Sequence, residues 1–406
     1  MPKLFQINIT ANWGSHGKIT EGIGKIALAN GWESHIAFGR WYNQSESELY
    51  HIGNMLDERL HGMSSRLFDN HGLMSAWPTI RLIKHIRKVN PDIIHLHNIH
   101  GYYLNYPILF KYLAECGKPV VWTLHDCWPY TGHCAHYMFA ECNKWKSHCQ
   151  HCPLLSNYPH SILFDRSYKN FQQKKEAFLA VDNLTIVPVS KWLETEIQES
   201  FLKSKSIQQI YNGIDTDLFK PTSHIDSIKK KYQISPNQKI VLGVASNWYR
   251  KGMADFIQLR NKLPKDYVII LVGVKKKDQQ NLPSTIISID RTENAKELIE
   301  IYSMSNVLFN PTWEDNFPTT IIEALACGTP VVTYKTGGCP EAISEETGYA
   351  IERGNIDDAA KSIEMICNKE KYCYSTVCRE RAVSHFNATE RFQEYIDLYH
   401  SLLKPT

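Results

Sequence analysis

Asp315-Asn316-Phe317-Pro318-Thr319-Thr320-Ile321-Ile322-Glu323 concentrates more chemistry than any other stretch of the chain. A strand-like run precedes it and a helical pattern follows. The first amides of that helix, near Thr319 and Thr320, point outward without intrahelical acceptors and can receive a diphosphate. One turn on, Glu323 can accept hydrogen bonds from two vicinal hydroxyls such as those of a ribose, and Asp315 can hold hydroxyls of a second sugar. Phe317 lies between them. The same letters have a plainer reading, because Thr320-Ile321-Ile322-Glu323 is also a capping box that closes a helix N-terminus. Gly337-Gly338, after the next strand-like run, favours a ligand, since it adds a second loop that backbone can approach closely. Arg250 and Lys251 follow the first strand of the same half, where two cations neutralise a departing diphosphate.

The first half carries a different set. Gly14 and Gly17 punctuate a turn before a helix and can let backbone amides approach an anion, although their spacing is not that of a P-loop. His95-Leu96-His97 and Leu124-His125-Asp126 close two strand-like runs. One of each alternating pair must face away from a shared site. His125 is the preferred active-site histidine, with Asp315 and Glu323 the other catalytic candidates. Cys134, Cys142, Cys149 and Cys152 end in a Cys-x₂-Cys pair and can enclose a structural zinc ion. Cys127, His133, His136, His148 and His151 are reserve ligands, and free thiols or disulfides are the alternatives.

The elements that must position these residues form a repeating rhythm of short apolar runs and longer helical patterns, the sequence form of a parallel sheet covered by helices. Strands are expected at 4–10, 35–39, 92–97, 119–125 and 184–189, then at 240–245, 268–272, 307–310 and 331–334. Helices are expected at 20–29, 79–89 and 295–304, each closed by a recognisable stop or strand. A last amphipathic helix, 387–406, has Asn387 as its cap and Phe392, Tyr395, Ile396, Tyr399, Leu402 and Leu403 on its apolar face. With 406 residues, two domains are expected, 1–206 and 207–386, the stretch 220–237 opening the second.

Composition narrows the function. The net charge of +3, from 45 basic and 42 acidic residues, lacks the basic excess of a dedicated nucleic-acid binder. No apolar run approaches a bilayer span of about 20 residues, and the strand-like start leaves no room for an export signal. Eleven cysteines without such a signal do not make a disulfide scaffold. The expectation is a cytoplasmic protein. Residues 80–89 form a basic amphipathic segment, which reads as a sheet-covering helix or as a peripheral contact with the inner face of the cell membrane.

At these residues the chain resembles the family-4 retaining glycosyltransferases. Asn212-Gly213-Ile214-Asp215 with Phe219-Lys220-Pro221, Asp315-x₇-Glu323 followed by Ala324-Leu325-Ala326-Cys327-Gly328-Thr329-Pro330, and Gly337-Gly338-Cys339-Pro340-Glu341 stand in the family's order and spacing. The Gly14–Gly17 turn and His125-Asp126 match its N-terminal loop and histidine-bearing strand end. Two positions depart: Asp315 stands where the family usually has Glu, and Gly243-Val244 stands where it has Gly-Arg, leaving Arg250 as the substitute cation. The resemblance implies the GT-B fold, an α/β arrangement of two doubly wound Rossmann-like domains. It also implies an interdomain cleft and a C-terminal helix that crosses back to the first domain. Residues 1–206 would take the acceptor and 207–386 the donor. It further implies transfer from a nucleotide sugar to a saccharide or lipid-linked acceptor, with retained anomeric configuration and no catalytic metal, as in assembly of capsule, O-antigen or exopolysaccharide. A nucleotide-sugar epimerase of the same fold and a non-catalytic nucleotide-sugar-binding protein are the alternatives.

Overall fold

The computed structural model describes residues 1–404. The chain divides into two compact units, Met1–Asn212 together with the segment from Thr389, and Gly213–Ala388.

The first unit is a seven-stranded sheet of β1 (Lys3–Asn8), β2 (Glu33–Phe38), β3 (Glu48–His51), β4 (Ile93–Leu96), β5 (Val120–Leu124), β6 (Leu184–Pro188) and β7 (Ser206–Ile207). Every pairing is parallel, and the order is β3-β2-β1-β4-β5-β6-β7. The central strands are sealed on both faces, which is why they read as near-continuous apolar runs rather than alternating ones. Helix α1 (Gly14–Ala29) follows β1, α2 (Met55–Phe68) follows β3, and α3 (Ala76–Val89) precedes β4. α3 buries Leu82, Ile83 and Ile86, so the basic segment 80–89 is a sheet-covering helix whose cations face outward.

The last helix, Ala388–Leu403, completes this unit. Tyr399 Oη lies 2.7 Å from His95 Nδ1, Thr123 Oγ1 donates to Tyr395 Oη at 3.1 Å, and the Tyr399 ring packs on Trp32. His95 is thus spoken for on both nitrogens, since its Nε2 meets Thr123 Oγ1 at 2.8 Å.

The second unit repeats the plan with six parallel strands: β8 (Lys239–Val244), β9 (Tyr267–Val272), β10 (Ile286–Ile289), β11 (Val307–Asn310), β12 (Val331–Tyr334) and β13 (Gly348–Ile351), in the order β10-β9-β8-β11-β12-β13. Where the chain enters and leaves this unit, Ile214 and Asn387 form a parallel bridge, and Asn387 Nδ2 donates to Thr216 Oγ1 at 2.7 Å. Both sheets reverse their strand order once, between β1 and β4 and between β8 and β11. The carboxyl ends beside such a reversal are where doubly wound sheets bind ligands.

Candidate functional site

In the second unit the loops after β8 and β12 both close on the loop after β11, the first of them across the reversal. Gly252 and Gly337 make that approach tight. A Cβ on Gly252 would sit 2.3 Å from the Pro311 carbonyl oxygen, and one on Gly337 would sit 1.8 Å from that of Asp315. Both residues also hold positive φ, at 80° and 52°, so glycine is required on two counts. Gly338 N–H then donates to the Asn316 carbonyl at 2.9 Å. The Gly337-Gly338 loop and the Arg250-Lys251 turn are therefore both fastened to the Trp313–Asn316 backbone.

The cations sit directly on that segment. Arg250 donates to the Glu314 carbonyl at 3.0 Å, and Trp313 N–H donates back to the Arg250 carbonyl at 2.9 Å. Lys251 Nζ forms an ion pair with Asp315 Oδ2, while Asp315 Oδ1 accepts the Asn316 N–H at 2.9 Å. Burial, with the adjacent Arg250 guanidinium acting the same way, pushes the Lys251 ammonium down to about 7. The Glu314 carboxylate opposes this shift.

Glu323 lies on the helix Thr319–Ala326. Its Oε2 accepts from Tyr302 Oη at 2.9 Å. That helix starts one residue before the threonine a capping box would need, its cap position is Pro318, and no side chain caps it. The capping-box reading is not what forms. Thr319 and Thr320 occupy the first turn, which carries no acidic residue to compete for an anion. Phe317 is buried against Phe386, so its side chain fastens the loop beneath the helix start.

Sequence reasoning missed the carboxylate that organises this edge from below. Asp255, buried on the helix Met253–Lys262, accepts Trp313 Nε1 at 2.9 Å and Tyr334 Oη at 2.7 Å, tying three segments together. Its signal was faint: a lone Asp in a helix, near an Arg-Lys-Gly turn.

The first unit presents imidazoles at its own strand ends. His97 Nδ1 and His125 Nε2 lie 3.2 Å apart, and His97 Nε2 reaches Gln6 Oε1 at 3.1 Å. His16, on α1, places its ring 6.0 Å from that of His125. His97 is sealed while His16 and His125 are half-buried. Burial pushes His97 and His125 well below the ordinary imidazole range and His16 to about 4, so all three are neutral at neutral pH. Asp126 pairs instead with His100, Oδ2 to Nε2 at 2.7 Å. Burial works against its ionisation, yet the charge and hydrogen bond of His100 hold the carboxyl well below its usual range. Gly17 lies against Thr10, whose Oγ1 would be 2.6 Å from an added Cβ, and Gly14 opens α1 at a φ of 67°.

The expected zinc site at Cys134, Cys142, Cys149 and Cys152 finds no support in the structure. Among the described residues no three His, Cys, Asp or Glu side chains are arranged to hold a metal ion, and no two cysteines are joined in a disulfide. Cys134 is hydrogen-bonded to Cys152, Cys149 Sγ accepts the Gly132 N–H at 3.2 Å, and Cys142 is half-buried. The excursion after β5 takes its order from other groups. Tyr130, Tyr137 and Trp145 pack ring against ring, His133 Nδ1 meets Asp69 Oδ1 at 2.6 Å, and the buried Lys174 donates to the carbonyls of Trp128 and Thr131. An aromatic core with buried polar anchors supplies the constraint that the long irregular loop demanded.

Known proteins show the same two-part pattern. Residues 27–218 match the model described as Glycosyltransferase Family 4, and residues 224–382 match Glycosyl transferases group 1. WcaC of Escherichia coli (strain K12), named as a colanic acid biosynthesis glycosyl transferase, is 23% identical over 98% of this chain and 100% of its own length. Among solved structures, sucrose-phosphate synthase from Thermosynechococcus elongatus superposes with a TM-score of 0.73 at 17% identity, covering 99% of each chain. Anabaena HepE, in complex with UDP and glucose, gives 0.66 at 16% identity, over 99% of this chain and 100% of its own. Two parallel, doubly wound units, family matches that divide between them, and a full-length relative of the same class together make the chain a GT-B glycosyltransferase, with a family-4 first half and a group-1 second half.

Proposed function

We propose that this glycosyltransferase takes a sugar from a nucleoside-diphosphate sugar and attaches it, with retained anomeric configuration, to a saccharide or lipid-linked saccharide in surface polysaccharide assembly. The observation that carries the donor class is the arrangement in the second unit: Arg250 and Lys251 fastened beside a helix start free of acids, with Glu323 one turn away. Two cations and open amides suit a diphosphate, and a carboxylate suits the ribose hydroxyls. HepE, solved with UDP and with glucose, and WcaC, named for colanic acid, support the same reading.

In this proposal the bond from the sugar's anomeric carbon to the diphosphate oxygen breaks as the bond to the acceptor oxygen forms on the same face. The acceptor proton passes to a departing phosphate oxygen. Lys251 and Arg250 take up the charge that develops there, which is where preorganised cations accelerate a reaction most. Asp315 holds sugar hydroxyls once donor phosphate competes for Lys251. His125, being neutral, exchanges hydrogen bonds with a saccharide hydroxyl rather than acting as a cation. No step calls on a metal.

A thermal-shift panel of uridine, guanosine and adenosine diphosphates and their sugars tests the donor class, because a ligand bound to the native state raises its stability. One diphosphate series should raise the transition, and Lys251→Ala should abolish the rise; no shift with any of them would refute the donor assignment. Proton NMR of the product anomer, with excess chelator present, tests the rest. An inverted product would remove same-face substitution.

A further inference from the structure

A glutamine sealed inside an interior strand of a sheet needs a partner for each end of its amide. Gln6, on β1, is such a residue, and its two partners lie on either side of the β1–β4 reversal. The Thr20 carbonyl on α1, which can only accept, stands 2.9 Å from one end, so that end is the Nε2 amine. The other end, the carbonyl oxygen Oε1, therefore faces His97 Nε2 at 3.1 Å. An amide oxygen has no hydrogen to give. The hydrogen of this bond belongs to His97 Nε2.

From there the direction passes along the chain of rings. His97 directly follows β4 and is sealed, and burial keeps it neutral. A neutral imidazole has one N–H and one bare nitrogen, and the bond made at one sets the other. With its hydrogen on Nε2, His97 must accept at Nδ1. The partner there, 3.2 Å away, is His125 Nε2, which must donate. His125 is held neutral by burial too, so its bare nitrogen is Nδ1. The opposite form would set two lone pairs against each other across the same gap, with no hydrogen between them. The relay is also held in place, because Trp122 Nε1 donates to the His97 carbonyl at 2.9 Å.

We propose that Gln6 and His97 are positioning residues that hold His125 in its Nε2–H tautomer, so that His125 meets a saccharide hydroxyl with Nδ1 as acceptor. In this form His125 takes a hydrogen bond at Nδ1 and has none to give there. The sugar position it meets carries an O–H or N–H, and the atom behind that hydrogen gains electron density. As a saccharide contact His125 rests on the function proposed above, whereas its tautomer is a property of the protein alone.

NMR of the full chain carrying nitrogen-15 histidine reads the state of each ring nitrogen. The signals of His97 and His125, assigned by their loss in His97→Asn and His125→Asn, should both report Nε2–H at neutral pH. The other form of His125 should be scarcer by about tenfold or more, the scale set by one buried unmade hydrogen bond. Gln6→Met keeps the length of the side chain but removes the oxygen that directs His97. An Nδ1–H form of His125 should then appear beside the first. Turnover of whichever of UDP-glucose, GDP-glucose and ADP-glucose the chain uses, read as released nucleoside diphosphate, should fall in proportion to that new form. Diphosphate affinity should stay unchanged. A purely structural glutamine would lower stability without tying rate to tautomer. His125 found with its hydrogen on Nδ1 in the unaltered chain would overturn the proposal, even if Gln6→Met does not fold. So would full turnover in Gln6→Met with His125 switched. Failure of the donor assignment shows separately, as no thermal shift with any diphosphate.

Discussion

The two units share one topology and put opposite electrostatics at equivalent places. Beside the β8–β11 reversal stand Arg250, Lys251 and Asp315, charged groups on short tethers against a glycine-tightened backbone. Beside the β1–β4 reversal stand His16, His97 and His125, which burial keeps neutral. The same backbone plan thus offers either a charged seat for an anion or an array of neutral hydrogen-bonding groups. Which one is built depends on a few residues after each strand. The proposed transfer uses both, one for a leaving diphosphate and one for uncharged hydroxyls.

The contrast breaks most sharply at Lys251. Lys251→Ala should lower kcat/KM by about 10²–10³-fold, the scale expected when one preorganised charge partner of a transition state is removed. Steady-state kinetics that fall by less than about threefold would move the anion seat elsewhere. Because the Lys251 ammonium sits at about 7, its charge is present below that pH and is lost above it. Diphosphate affinity should therefore weaken as pH rises from 7 to 9, by up to about tenfold per unit, with protons taken up on binding. Calorimetry in buffers of different ionisation enthalpy reads that uptake, and Lys251→Ala should flatten the dependence. The histidine side should behave differently. With His16 at about 4 and His125 well below its usual range, no imidazole limb should appear in the rate profile between pH 5.5 and 7.5.

Glu323→Gln sharpens the comparison more gently. It should weaken donor binding by about 1.5–3 kcal/mol, the worth of a charged hydrogen bond, and leave the melting transition nearly in place because the amide oxygen of Gln can still accept the Tyr302 hydroxyl. A lower transition with unchanged binding would return it to a structural role. Smallest in its effect on the site is Tyr399→Phe. It deprives the buried His95 of its Nδ1 partner and should destabilise the first unit by about 1–3 kcal/mol, with diphosphate affinity unchanged. Denaturant unfolding alongside diphosphate titration checks both halves of that expectation.

Much of this was legible before any coordinate. Runs such as Ile240–Leu242 and Val331–Val332 announce strands because a parallel sheet buries both faces. Asp315, Glu323, Gly337 and Gly338 were singled out because loop, helix start and glycines fall in a local order. The strands β3, β7, β10 and β13 were not expected. They are short and lie toward or at the sheet edges, where pattern is weakest. Phe317 was grouped with the ligand because it lies between two ligand candidates, and only tertiary packing shows it against Phe386. Asp255 was invisible because its partners, Trp313 and Tyr334, are remote in sequence. The order of the cysteines suggested a shared metal, which the structure does not support, while the constraints it does show on that loop are aromatic residues and Lys174, which carry no spacing rule.

The last helix has a consequence in time. A ribosome releases the first strand of the first unit long before it makes Tyr395 and Tyr399, and the whole second unit is synthesised in between. Until then Trp32, His95 and Thr123 lack the surface that the finished protein lays over them. Domains generally fold as units in order of synthesis, yet here the earlier one cannot close its interior before the helix Ala388–Leu403 has been made. A stalled or C-terminally shortened nascent chain would hold a completed second unit and a first unit still open along one helix-wide strip. Chaperones and proteases would meet this protein there.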